Sequence, residues 1–92
     1  MRTESDLQHY FIKEVKRVGG LAVKVHCEGR RGWPDLTIIM PGGSVYFVEM
    51  KAPTGRGRLS VHQNKTIARL NELGATALVI SSVEEVDSFV NR

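Results

Sequence analysis

The apolar positions of this chain change period several times, and each change marks an element. Leu7, Tyr10, Phe11, Val15 and Val18 recur at helical spacing. Thr3 and Asp6 stand where a capping box opens such a helix, and Gly19-Gly20 stops it. Leu21 to Val25 reads as a strand, followed by the polar loop HCEGRRGWP. DLTIIM and SVYFVEMK, separated by PGG, read as the two strands of a hairpin with a short turn. Beyond the basic loop APTGRGRL, Ser60 and Gln63 form a second capping box. It opens a helix with the stripe Ile67, Leu70 and Leu73, which Gly74 ends. Thr76 to Ile80 is a dense apolar strand, and Ser81 or Ser82 caps a last helix carrying Val83, Val86, Phe89 and Val90.

The order is αβββαβα. Val45 and Phe47 fall on one face of their strand, and Tyr46, Val48 and Met50 on the other, so the sheet is expected to need helices on both sides. The crossover from the third strand through the second helix to the fourth is expected to be parallel and right-handed. The expected fold is an α/β sandwich with a mixed four-stranded sheet flanked by helices.

Composition narrows the picture without deciding it. Ninety-two residues fit one small domain, expected to span 1–92. No apolar run is long enough to span a membrane, and MRTESDLQHY lacks the apolar core of a signal peptide, so a cytoplasmic protein is expected. Cys27 is the single cysteine, which excludes an intrachain disulfide. A net charge of +3 is compatible with nucleic acid and does not demonstrate it.

The candidate chemistry sits at one end of the hairpin. If Met40 faces Ser44 across the turn, Ile39 faces Val45, Thr37 faces Phe47 and Asp35 faces Glu49. Directly opposed residues have Cβ atoms about 4.5–5.5 Å apart, so both carboxylates could reach one ion. Lys51, two positions beyond Glu49, projects from the same face. A slip of one residue would send Asp35 to the other face. Charges in so apolar a strand are costly unless paired or bound to an ion. Carboxylates are hard ligands suited to Mg²⁺ or Mn²⁺, which would lower the pKa of a bound water and offset phosphate charge. The bland alternative is a solvated strand end with Asp35 capping a turn. A bare PD plus ExK is common by chance, and only the register gives it geometry.

Pro34-Asp35 followed by Glu49-Met50-Lys51 on a hairpin resembles the PD-(D/E)xK nuclease superfamily. Glu4 on a leading helix, GRRGWPDL, VEMK, and a helix opening with Ser60 and Gln63 more closely resemble the VRR-NUC family, in its stand-alone viral and bacterial form. The resemblance implies a restriction-endonuclease-like fold and metal-dependent DNA cleavage leaving 5′-phosphates. It implies Asp35 and Glu49 as metal ligands, Lys51 as the catalytic lysine, Glu4 as the acid completing the metal site and Gln63 as the glutamine beside it. It also implies a homodimer acting on branched DNA such as Holliday junctions.

The peripheral residues each have a second reading. Glu4 is also a favourable first-turn acid, and Gln63 a natural capping-box residue. Gln63 can serve both roles only if its helix start faces the site. Arg30 and Arg31 before the acidic strand, and Arg56 and Arg58 after it, are expected phosphate contacts. Trp33 suits either base stacking or a core or interface position. His26, Cys27 and Glu28 alternate in direction and do not make a zinc site. The competing functional readings are a non-catalytic nucleic-acid-binding module and an assembly subunit of a repair complex. Any dimer interface is expected on helix one or the last helix.

Overall fold

The computed structural model describes residues 3–54 and 58–92. Its elements run α1 (Glu4–Arg17), β1 (Leu21–Lys24), β2 (Leu36–Ile39), β3 (Val45–Met50), α2 (Val61–Glu72), β4 (Thr76–Ile80) and α3 (Val83–Val90), in the expected order. Both expected capping boxes form. Thr3 accepts from the Asp6 amide and Asp6 from the Thr3 amide, and Ser60 and Gln63 do the same for α2. Of the two candidate serines before α3, Ser82 is the cap.

The sheet order is β1-β2-β3-β4, with β1, β2 and β3 antiparallel and β3 and β4 parallel. The hairpin register is the expected one: Ile39 opposes Val45 and Thr37 opposes Phe47. The Met40 amide donates to the Ser44 carbonyl at 2.9 Å, closing the turn over Pro41, Gly42 and Gly43. Gly42 and Gly43 both have φ above +90°, which explains the two glycines there.

The core lies on one face of the sheet, under α1 and α3. Leu36, Ile38, Val48, Met50 and Ile80 from the strands pack with Leu7, Phe11 and Val15 of α1 and with Val86, Phe89 and Val90 of α3. Phe89 meets both Phe11 and Tyr46 edge to face. Tyr10 Oη donates to Asp87 at 2.6 Å and ties the two helices together. The apolar stripes of α1 and α3 are thus largely spent on the core, with Tyr10, Ile12 and Val83 only partly buried.

The opposite face is covered less than expected. α2 lies along β4, where Asn71 donates to the Ala77 carbonyl and accepts from the Ala77 amide, both at 2.9 Å. The expected α2 stripe shifts accordingly: Thr66 is buried, Ile67 and Leu70 are half-buried, and Leu73 is 65% exposed. Leaning on the sheet edge, α2 turns Gln63, Thr66 and Leu70 inward. Leu21, Ile39 and Val45, opposed in one row across three strands, stay exposed. Among the described residues no helix is long and apolar enough to cross a membrane.

Candidate active site

The far end of the hairpin, away from its turn, gathers the charged residues. Continuing the hairpin register puts Pro34 opposite Met50. Proline has no amide hydrogen and the regular ladder ends there. Asp35 Oδ1 instead accepts the Met50 amide at 3.1 Å, while the Asp35 carbonyl accepts from Val25 at 2.8 Å. The Asp35 carboxylate is thereby fixed at the seam between β2 and β3, next to Glu49.

Glu49 is buried, at 5% exposure, on the face that α2 borders. Gln63 Nε2 donates to Glu49 Oε2 at 3.1 Å, and Lys51 Nζ lies 3.8 Å from the same oxygen. Gln63 Oε1 is taken by the Ser60 amide at 2.9 Å. The capping box thus settles which end of the Gln63 amide faces the site. The helix start does face it, and one side chain makes both contacts. Lys51 is held by its own backbone, whose amide extends the ladder to the Ile80 carbonyl at 3.0 Å.

Burial pushes the Glu49 carboxyl from its ordinary 4.5 up to about 7, and the charge of Asp35 adds to the rise. Lys51 and a hydrogen bond from the Asp35 backbone act against it. Burial raises Asp35 too, against the Met50 amide, its own amide and Lys51. With burial opposing both charges and Asp35 suppressing the ionisation of Glu49, the pair makes a place where positive charge is favoured. Glu4 is exposed in the first turn of α1, near enough for its charge to add to the rise at both acids. It is not gathered with them: among the described residues no three His, Cys, Asp or Glu side chains are grouped to hold a metal ion.

The basic residues flank this end. Arg30 and Arg31 are exposed on the loop before Trp33, with the Arg30 guanidinium over the indole at 5.9 Å. Trp33 packs edge to face on Phe47, beside the site. Arg58 is exposed, and Arg56 lies outside the described residues. Two features escaped the sequence. Gly32 has φ of +80°, and a Cβ there would meet the His62 carbonyl carbon at 2.4 Å and the Gln63 nitrogen at 2.6 Å, so the arginine loop is docked on the first turn of α2. The Asn71 clamp on Ala77 was the other. GRRGWP marked a loop without saying what it packs against, and an asparagine in the last turn of a helix carries no sign of a sheet edge.

Comparison with known proteins bears on the fold and the family. The family model described as "VRR-NUC domain" matches residues 21–84, from β1 through the start of α3. A protein of Acyrthosiphon pisum secondary endosymbiont phage 1, described as "Putative nuclease p44", is 37% identical over 79 residues, covering 86% of this chain and 83% of the phage protein. A solved structure described as "VRR_NUC domain" superposes with a TM-score of 0.87 at 32% identity, covering all of this chain and 98% of its own. The matched region contains Asp35, Glu49, Lys51 and Gln63 on the scaffold just described, and the chain belongs to the VRR-NUC nuclease family.

Proposed function

We propose that this nuclease is a divalent-metal-dependent DNA endonuclease with Asp35, Glu49 and Lys51 at its centre. The observation that carries the reading is the meeting of three groups on one buried carboxylate. Glu49 has Asp35 raising its pKa, Lys51 Nζ at 3.8 Å and Gln63 Nε2 at 3.1 Å. A structural salt bridge would need Lys51 and one acid, and the second acid beside it only adds repulsion.

The donor set fits Mg²⁺ or Mn²⁺: hard carboxylate oxygens held close together, with Lys51 as a cationic group acting on both. Asp35 and Glu49 would hold the ion, and Glu4, which is not gathered with them, would have to move in from α1 to complete the set. When bound, such an ion supplies charge against the phosphate oxygens and lowers the pKa of the attacking water. Lys51 orients that water and offsets charge developing on the phosphoryl group. Gln63 fixes the Glu49 carboxylate by donating to Oε2, and its oxygen stays engaged with Ser60. As water oxygen bonds to phosphorus, the bond to the 3′ oxygen breaks and that oxygen takes up a proton, leaving 5′-phosphate and 3′-hydroxyl ends. Arg30, Arg31, Arg56 and Arg58 contact neighbouring phosphates.

The substrate we propose is branched DNA such as a Holliday junction, cut in the cytoplasm by a homodimer. Resolving a junction requires two matched nicks, and one small domain offers one site.

The test is incubation with labelled four-way junction, linear duplex and single strand, each with Mg²⁺, Mn²⁺ or EDTA. Cleavage is expected with a metal ion and is expected to vanish with EDTA and in Lys51→Ala. Cleavage that persists in either case would sink the mechanism. Cleavage of linear duplex as fast as junction would remove the preference for branched DNA.

A further inference from the structure

Alongside the acidic site runs a groove of which the reading above uses only Arg30 and Arg31. It lies between the Gly29–Arg31 loop and the outer side of α2, encloses about 670 Å³, and has Arg30, Arg31, His62, Lys65 and Arg69 along its walls. His62, Lys65 and Arg69 are spaced three and four residues apart and so share one side of the helix. That line sits one position back from the inward line Gln63, Thr66 and Leu70. All five of the basic side chains are exposed. The acid in the groove, Glu72, is paired with Arg69 at 3.5 Å, with both side chains more than half exposed.

We infer that this groove is a phosphate track for the nucleic-acid strand whose scissile bond lies at Asp35 and Glu49, an inference that rests on the nuclease reading above. Continuity is the first support. His62 adjoins Gln63, which donates to Glu49, so the groove begins at the reacting end of the sheet and leads away along α2. Its length is the second: the seven steps of helix from His62 to Arg69 rise about 10 Å at about 1.5 Å per residue. Successive phosphates of one strand advance about 3.4 Å along the duplex axis, so a groove running parallel to that axis spans roughly three phosphate steps. The third support is that the groove is built, not incidental. Gly32 adopts φ of +80° with its Cα position against the His62 carbonyl, where no other residue fits, and this contact fixes the arginine loop beside the helix. A protein ligand with scattered acids would not need a straight cationic line that starts at the hydrolytic site.

Binding is measured on the cleavage-deficient Glu49→Gln protein, by fluorescence anisotropy of labelled duplex and single-stranded DNA over a range of salt concentrations. Adding Lys65→Ala and Arg69→Ala is expected to weaken binding at least several-fold. It should also flatten the log affinity against log salt plot by about 0.9 per lost contact on duplex, or about 0.7 on single strand. Exchanging the two residues as Lys65→Arg and Arg69→Lys is expected to keep the slope. Both sites are exposed on the helix surface, so an unchanged melting temperature is expected and shows that the fold is intact. An unaltered slope in the double alanine protein overturns the track. The nuclease reading fails separately, if the wild-type chain cleaves nothing or if Lys51→Ala cleaves as well as wild type. The slope is read without turnover and reports on the groove in either case.

Discussion

Gln63 joins the helix cap to the acidic site, and its two hydrogen bonds can be separated by substitution. Its oxygen accepts from Ser60 and its nitrogen donates to Glu49. Gln63→Glu keeps an acceptor for the cap but sets a second carboxylate where the amide nitrogen was. In EDTA, that protein should melt near the wild-type temperature at acid pH and fall below it progressively as the new acid ionises. Equal melting temperatures across the pH range would show that the Glu49 contact carries no charge sensitivity. Glu49 has its own pH signature in the metal-free protein. Its folded pKa is raised from 4.5 to about 7, so the folded state holds the proton more tightly than the unfolded chain. Its relative contribution is most favourable below about 4.5 and is lost as pH rises through about 7. The difference in melting temperature between wild type and Glu49→Gln should therefore grow over that window in favour of the glutamine. A difference that shrinks with rising pH would mean that Lys51 outweighs burial. The placement of Asp35, Glu49 and Lys51 together at one strand end was legible from alternation and register. The Asp35 bond to the Met50 amide was not, because a side-chain oxygen there takes the place of a backbone carbonyl as acceptor, and neither alternation nor register reveals that exchange.

At the scale of elements, capping chemistry and hydrophobic period marked every helix and strand to within a residue or so at each end. The failure lay in α2. Its apolar residues suggested a stripe ending at Leu73, which is exposed, whereas its buried residue is Thr66. A helix that leans on a sheet edge is fixed as much by hydrogen bonds as by apolar burial, and periodicity cannot register those. Asn71 holds both polar groups of Ala77 on the edge strand. Asn71→Ala should cost about 1–3 kcal/mol, since those backbone groups lose their partners, and should speed exchange of the Ala77 amide. Unchanged exchange there would show that α2 stays on β4 without the clamp. Gly32→Ala attacks the same helix from the other side. Its Cβ would collide with the His62 backbone and sit at φ of +80°, so the loop must move. A loss of about 1–3 kcal/mol is expected from the strained backbone conformation alone, read by urea denaturation.

The whole molecule presents two unlike flanks. One is closed by α1 and α3, and the other is covered by α2 only along β4. On the open flank Leu21, Ile39 and Val45 form an apolar row at 56%, 38% and 43% exposure, at the turn end of the hairpin. Asp35 and Glu49 lie at the other end of the same strands, so a partner covering the row would leave the site open. A stable interface takes roughly 800 Å² from each partner, against a total surface of 5875 Å² here. A row of three side chains is too small for that, and a dimer would have to cover most of the open flank, where Val23 is exposed beside the row. If the proposed homodimer forms there, Ile39→Glu should convert it to a monomer by light scattering. Its melting temperature in dilute solution should stay close to that of dissociated wild type, because Ile39 lies outside the core cluster. The monomer should still nick DNA, but its two nicks in a junction should become independent events. The nicked intermediate would then accumulate, where the dimer passes directly to paired products. A wild-type chain that is monomeric at all concentrations would leave the nuclease chemistry intact and remove paired cleavage. An Ile39→Glu protein that remains dimeric would place the interface elsewhere.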